Sequence, residues 1–544
     1  MDNPPLQGDE HQQQEDQHGS KLSASTRFNV QVLLLSILLV ALCSITYELI
    51  IGTVSSYLLG NSVYQFSLTI GLYMSAMGVG SYMSKFIRKN LLANFILVEI
   101  LVGILGGISS ASLFGIFTYQ RDAFQPAMWL ITLGIGVLVG LEIPLLTRHV
   151  RRYAELRDAI ANVLSWDYIG ALLGSLAFPL FLLPTLGLLN SAAVMGLVNL
   201  VVAAVGLFAF RKDIPRFKTL LAALSVAFIG LTALFFTSSD YENFLDRRLF
   251  QDPVVYREQT PYQKLTITAW KDRDYRLYIN GNIQFSSADE YRYHESLVHV
   301  PMGLVPEAKK VLILGGGDGL AVKQLVQNYP ELEKIIMVDL DPRMTELAKS
   351  HGILRRLNED SMHDPRVEVI NADAMQYLID RPSPFDVIII DLPDPNNESL
   401  AKLYSVEFYR LVKSTLNPGG VVVTQSTASY FAANAFWCIH RSMEKAFCPE
   451  DNAECKKGDA SYVVPYHTWV PSFGDWGFNL AMLDPVAPRD FTIRAKNTRY
   501  ISKDTIEAMT LFPPDISERN VKPNRLIEPV LLGYYQTDWH TTNQ

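Results

Sequence analysis

Five aspartates in the second half of this 544-residue sequence stand where runs of apolar residues stop. Asp318 follows VLILGGG, Asp339 follows KIIMV, Asp373 follows VEVINA, and Asp391 and Asp394 belong to DLPDP after FDVIII. Carboxylates gathered in one cavity make a region of negative potential that favours a cationic ligand. They can also take a proton from an amine as it forms a bond. The glycine turn Gly315-Gly316-Gly317-Asp318-Gly319 is the sharpest signal. Its glycines let the backbone approach a nucleoside, and a helix N-terminus behind them offers free N–H groups. A phosphate-cradling loop gains nothing from the Asp318 carboxylate, whereas a sulfonium or an amine does. Asp339 lies about 20 residues past the turn, where an acidic residue hydrogen-bonds ribose hydroxyls in dinucleotide-binding folds. Asp394 has a competing reading as a cap ahead of Pro395.

These positions ask for parallel strands whose carboxyl ends meet, since such sheets bind ligands there. The sequence supplies strands at Val311–Leu314, Lys334–Val338, Val367–Ile370, Phe385–Ile390 and Val421–Thr424, with a helix over about 320–329 after the glycine turn. Ahead of them VVYREQ, KLTITAW, YRLYING and IQF alternate as antiparallel strands do, and Asn280-Gly281 is a hairpin turn signal. Residues 286–304 carry helix-like spacing with an acidic start.

The first half is of another kind. Residues 1–29 are polar, and composition predicts a disordered tail in which His11 and His18 are simply solvated. A bilayer span needs about 20 apolar residues, and seven runs qualify, near 30–53, 65–84, 92–116, 126–147, 167–185, 189–210 and 218–237. Lys85–Lys89, Arg148–Arg157 and Arg211–Lys218 concentrate positive charge, while the alternate linkers carry only Arg121. The positive-inside rule puts the basic linkers and the N-terminus in the cytoplasm. Seven passes would leave the rest of the chain outside the cytoplasm, and one re-entrant segment in 167–210 would return it. Glu48, Glu99, Glu142 and Asp167 lie in or beside these runs. Intramembrane carboxylates either contact a cationic solute or pair with polar groups of neighbouring helices. Net charge is −8, which gives a nucleic-acid partner no support. Of four cysteines, Cys448 and Cys455 flank PEDNAE and either close a disulfide or remain free thiols.

TPYQKLTI, LYINGNIQFSSADEYRYHE, LILGGGDG, VDLD, NADA and DLPDP, in that order, resemble the spermidine synthase (polyamine aminopropyltransferase) family over roughly 255–480. The fusion to a multi-span region looks like its membrane-bound bacterial members. The architecture implied is a multi-span α-helical membrane domain (30–237), a small antiparallel β unit (245–300), an α/β Rossmann-like, methyltransferase-type domain (301–500) and a C-terminal extension (501–544) without a usable motif. The implied activity is aminopropyl transfer from decarboxylated S-adenosylmethionine, a co-substrate, to putrescine or a related amine, with no metal required. The resemblance implies that Gln263, Gln284, Gly315 and Gly317 lie along the donor, Asp339 holds its ribose, and Asp373 and Ala374 border its adenine. Asp318 would face the aminopropyl amine and Asp391 would accept the proton. Tyr293, His294 and Asp394 would lie toward the acceptor. A cell (inner) membrane location, contact with the lipid bilayer and a homodimer formed through the β unit would follow.

Five positions depart from the family pattern: Leu320 after the glycine turn, Leu392 and Pro393 between Asp391 and Asp394, His294, and Val470 in WVPSFGDWGF. They cluster on the acceptor side and bear on acceptor identity more than on the donor. Two other readings stay open. An S-adenosylmethionine methyltransferase shares the fold, and fold alone does not decide function. A polyamine transporter or sensor with a degenerate enzyme domain would use Glu48 and Glu142.

Overall fold

The computed structural model describes residues 24–60, 62–151, 156–250, 252–271, 273–380, 382–448, 455–457 and 460–542. Of the expected disordered tail, residues 1–23, with His11 and His18, lie outside that set. Positions 24–29 depart from the expectation, because the first helix already begins at Ala24 and runs to Leu59. The chain divides into two compact units, one ending at Leu245 and one comprising Asp246 onward together with residues 60–62.

The first unit is helical. After Ala24–Leu59 come Ser62–Met83, Leu91–Tyr119, Phe124–Val150, Leu156–Ala177, Leu183–Ala209 and Phe217–Leu249. Among the described residues, five stretches are long and apolar enough to cross a membrane where seven runs are expected, and Ser62–Met83 is not one of them. Its buried face carries Gln65, Thr69 and Tyr73, which lower its apolar content. One of the five, Arg157–Ala209, has 53 residues. A straight helix of that length would reach ~80 Å, far beyond a hydrocarbon core of about 30 Å. A π-helical segment at Phe178–Leu182 and a left-handed Gly187 (φ 70°) interrupt it, and the helices on either side both pack on Ala24–Leu59. The two runs expected there, 167–185 and 189–210, thus have a structural counterpart in one broken stretch.

Small residues let these helices touch backbone to backbone. A Cβ on Gly140 would lie 2.1 Å from the Met77 carbonyl oxygen, and one on Gly80 2.0 Å from that of Val137. Glu99 is fully buried and accepts from Asn199 Nδ2 at 2.6 Å, while Asn199 Oδ1 accepts from the Tyr47 hydroxyl at 3.0 Å. This chain ties three helices together, so Glu99 is paired between helices. Glu142, also buried, lies beside it.

The second unit holds two sheets. Strands β1 (Val254–Gln259), β2 (Lys264–Trp270), β3 (Asp274–Ile279) and β4 (Asn282–Ser286) form an antiparallel meander, with Asn280-Gly281 turning β3 into β4. The larger sheet has the order β10-β11-β12-β9-β8-β5-β6-β7. Its parallel part is β5 (Lys310–Gly315), β6 (Lys334–Asp339), β7 (Val367–Asn371), β8 (Phe385–Asp391) and β9 (Leu416–Ala428). Beyond the five expected strands, β10 (Lys456–Lys457), β11 (Ala460–Val470) and β12 (Gly474–Val486) continue the sheet antiparallel from β9. Val311 and Ile313 of β5 enter one core and Leu312 and Leu314 the other. Burial on both faces explains why this strand reads as a continuous apolar run. Cys448 and Cys455 are disulfide-bonded.

Candidate active site

β5 leads into β6 on one side, while β8 pairs with β5 on the other. The sheet therefore has its topological switch between β5 and β8, and a crevice opens outside their carboxyl ends. Register sets Gly315 level with Asp391, and the Gly316 N–H donates to the Asp391 carbonyl at 3.0 Å. Gly315 (φ 85°), Gly316 (φ 65°) and Gly319 (φ 82°) occupy the left-handed region. Space matters as much as φ: a Cβ on Gly317 would lie 2.6 Å from Asp339 Oδ2.

The crevice is a cavity of about 410 Å³. Gln263, Gln284, Tyr293, His294, Gly315, Gly317, Asp318, Asp339, Asp373, Ala374, Asp391 and Asp394 all line it. Several carry local duties that the sequence does not reveal. Asp318 Oδ1 accepts from the Leu320 N–H at 2.9 Å and so caps the helix Leu320–Asn328 with one oxygen. Asp373 caps Ala374–Ile379 through the Gln376 N–H and pairs with Lys402 at 3.0 Å. Gln263 donates to Asp341 Oδ2 at 2.9 Å, and Thr260 donates to the same oxygen at 2.8 Å. Gln284 donates to the backbone carbonyls of Asn282 and Ile283. The capping alternative for Asp394 fails. The next helix is capped by Asn397, and Asp394 Oδ2 instead accepts from Tyr535 at 2.9 Å and Thr427 at 3.2 Å. Its Oδ1 is buried without a hydrogen-bond partner among the described residues.

Tyr293 donates to Asp391 Oδ1 at 2.6 Å. Burial raises the Asp391 carboxyl above its ordinary value, against the opposing pull of His294 and the Tyr293 hydrogen bond. Burial likewise pushes Asp318, Asp339 and Asp394 up to about 6. Charge repulsion from Asp391 adds to the rise at Asp318, where His294 opposes it. Carboxylates that resist ionisation when alone are ones that gain most from a cationic ligand.

Lys323, which sequence reading passed over, brings positive charge beside this acidity. Glu290 is buried between His294 Nδ1 (2.8 Å) and Lys323 Nζ (2.7 Å). Burial alone would raise Glu290, but His294 and Lys323 outweigh it and hold it down at about 2. Burial alone would lower His294, yet its bond to Glu290 and the charges of Glu290, Asp318 and Asp391 raise it. An acidic helix start was legible at Glu290, but its partner sits 33 positions away on another helix. Of the aromatic walls, the sequence singles out the WVPSFGDWGF segment, but not the part that the C-terminal helix supplies. Phe473 and Trp476 approach Tyr293, and Tyr535 and Trp539 come from the C-terminal helix Leu531–Thr542. Val470, by contrast, is fully buried in the core and is absent from the cavity wall.

The family model described as spermine/spermidine synthase domain matches residues 290–484. Polyamine aminopropyltransferase 2 of Ralstonia nicotianae is 44% identical over 515 residues, 94% of this chain and 98% of that protein. The polyamine aminopropyltransferase of Leptospira interrogans is 41% identical over 510 residues, 93% of this chain and 98% of that one. Among solved structures, spermidine synthase from Thermotoga maritima matches 48% of this chain and 84% of its own, with 27% identity and a TM-score of 0.42. Identity at this level over nearly the whole length places the chain in the polyamine aminopropyltransferase family, as an enzyme of that kind.

Proposed function

We propose that the chain transfers the aminopropyl group of decarboxylated S-adenosylmethionine to putrescine or a related amine, giving spermidine and methylthioadenosine when the acceptor is putrescine. The observation that carries this is the meeting of Asp318, Asp391 and Asp394 in the cavity that also holds the glycine turn and Asp339. A nucleoside needs the turn and Asp339, whereas three further carboxylates suit a sulfonium and amines. Ordinary S-adenosylmethionine carries a carboxylate that this wall repels.

The amine nitrogen attacks the methylene beside the sulfonium, the carbon–sulfur bond breaks, and the thioether leaves with its electron pair. The new secondary ammonium then gives up a proton. Alignment of nucleophile and electrophile supplies most of the acceleration. Asp391 is the proton acceptor; burial makes it a stronger base than an exposed aspartate, and Tyr293 fixes its orientation. Asp318 faces the donor amine. Gln263, Gln284, Gly315, Gly317, Asp373 and Ala374 border the donor, and Tyr293, His294 and Asp394 the acceptor. The helical unit holds the enzyme in the cell membrane as a multi-pass anchor.

The test is product detection by mass with detergent-solubilised full chain, the decarboxylated donor and a panel of diamines and triamines. Methylthioadenosine should form, and Asp391→Asn should lower kcat by roughly 10²–10⁴. No turnover with any amine would overturn the reading.

A further inference from the structure

The acceptor end of the cavity is completed by chain that lies outside the matched family domain. That domain ends at 484, whereas Tyr535 and Trp539 lie on Leu531–Thr542. They are four residues apart, so one helix face presents both. Both line the cavity, and the Tyr535 hydroxyl donates to Asp394 Oδ2. Trp539 stacks on Phe431 with ring centroids 5.7 Å apart and planes at 17°.

The helix is firmly built in. Asp538 accepts from the Asn434 and Ala435 N–H groups (2.8 and 3.1 Å) and from Asn434 Nδ2 (2.6 Å), capping the helix Ala433–Phe447. Leu531 is fully buried, and Asn524 ties the preceding loop to the Ala401 carbonyl. Behind Asp394, Thr427 holds a left-handed φ of 61°, a costly conformation for a β-branched residue, and its hydroxyl donates to Asp394. Asp394 is thereby clamped through Oδ2 and keeps Oδ1 without a hydrogen-bond partner among the described residues.

We infer that Tyr535 and Trp539 are acceptor-specificity residues: Tyr535 aims Asp394 Oδ1 at the distal ammonium of a diamine, and Trp539 stops the cavity beyond it. A carboxylate with one clamped and one open oxygen suits a single terminal ammonium. A longer amine would need the volume that the Trp539 ring fills. The inference rests on the aminopropyl-transfer reading, since that reading assigns this end to the acceptor.

The experiment measures kcat/KM for putrescine and for spermidine, and binding of each amine by calorimetry, on full-length protein and on Trp539→Ala, Trp539→Phe and Tyr535→Phe. Trp539→Ala should raise the spermidine-to-putrescine ratio at least tenfold, with Trp539→Phe intermediate. Tyr535→Phe should raise the putrescine KM at least fivefold with a smaller change in kcat, and leave the donor KM within twofold. Ratios within twofold of wild type in every variant would overturn the inference. If no amine turns over but binding shifts as described, the catalytic reading falls and the specificity wall stands. Trp539→Phe preserves the stacking on Phe431, so a misfolded alanine variant does not remove the test.

Discussion

Every residue that the resemblance assigned to the site lines one cavity, yet those residues divide by what else they do. Asp339 and Asp391 stand at strand ends, and their positions follow from where apolar runs stop. The helix-capping share of Asp318 and the Lys402 pairing of Asp373 depend on backbone direction and on a residue 29 positions away. No pattern along the chain shows these. Asp394 offers a prediction at this scale. Its folded-state carboxyl lies at about 6, above the unfolded value, so its penalty is absent at low pH and grows as pH rises through 6. Asp394→Asn should therefore stabilise the ligand-free protein by about 2–3 kcal/mol at pH 8 and by little at pH 3. Thermal unfolding across that range checks the sign. A variant that gains most at low pH would contradict it. Amine affinity should run the opposite way in wild type, strengthening from pH 5 to pH 7.5 as the carboxylates ionise.

Among elements, the parallel strands were the most legible, because strands buried on both faces leave long β-branched runs such as FDVIII. The antiparallel continuation β11–β12 was not, since its polar and aromatic residues, including His467 and Trp476, break the apolar pattern. The ion cluster joining Glu290–Leu304 to Leu320–Asn328 was hidden for a different reason: Glu290 and Lys323 look like ordinary helix-surface charges until packing buries them. Glu290→Gln removes the carboxylate charge and leaves the Lys323 ammonium buried against neutral acceptors such as the Leu357 carbonyl. That should cost about 3 kcal/mol at pH 7. The wild-type contribution is present above the unfolded glutamate value and is lost only as pH falls toward 2. Denaturant unfolding at pH 7 measures it, and a loss under 1 kcal/mol would show that the cluster does not hold these helices. In the helical unit, Gly140→Leu should separate Ser62–Met83 from Phe124–Val150, because its Cβ meets the Met77 carbonyl. Loss of folded protein in detergent gel filtration is the expected result; an unchanged profile and melting temperature would argue against the close contact.

At the scale of the whole molecule, composition alone separated an apolar helical half from an α/β half, and the two compact units divide near Leu245. The seven runs become five stretches among the described residues because a 53-residue helical stretch broken at Gly187 joins two of them and Ser62–Met83 carries polar residues. Among the described residues, five stretches apolar enough to cross a membrane lead to a simple expectation. The protein should remain with membranes through alkaline carbonate extraction, and release into the supernatant would contradict a multi-pass anchor. The C-terminal residues carried no motif, yet they reach Asp394 across 141 positions. The Asp394 end of the cavity thus belongs to the fold of the whole second unit. The most direct measurement is a competition between decarboxylated and ordinary S-adenosylmethionine, with putrescine present and products identified by mass. The proposed reaction predicts aminopropyl transfer from the decarboxylated donor at least a hundredfold faster than any transfer from the carboxylated one. Methyl transfer from ordinary S-adenosylmethionine as the faster reaction would contradict it.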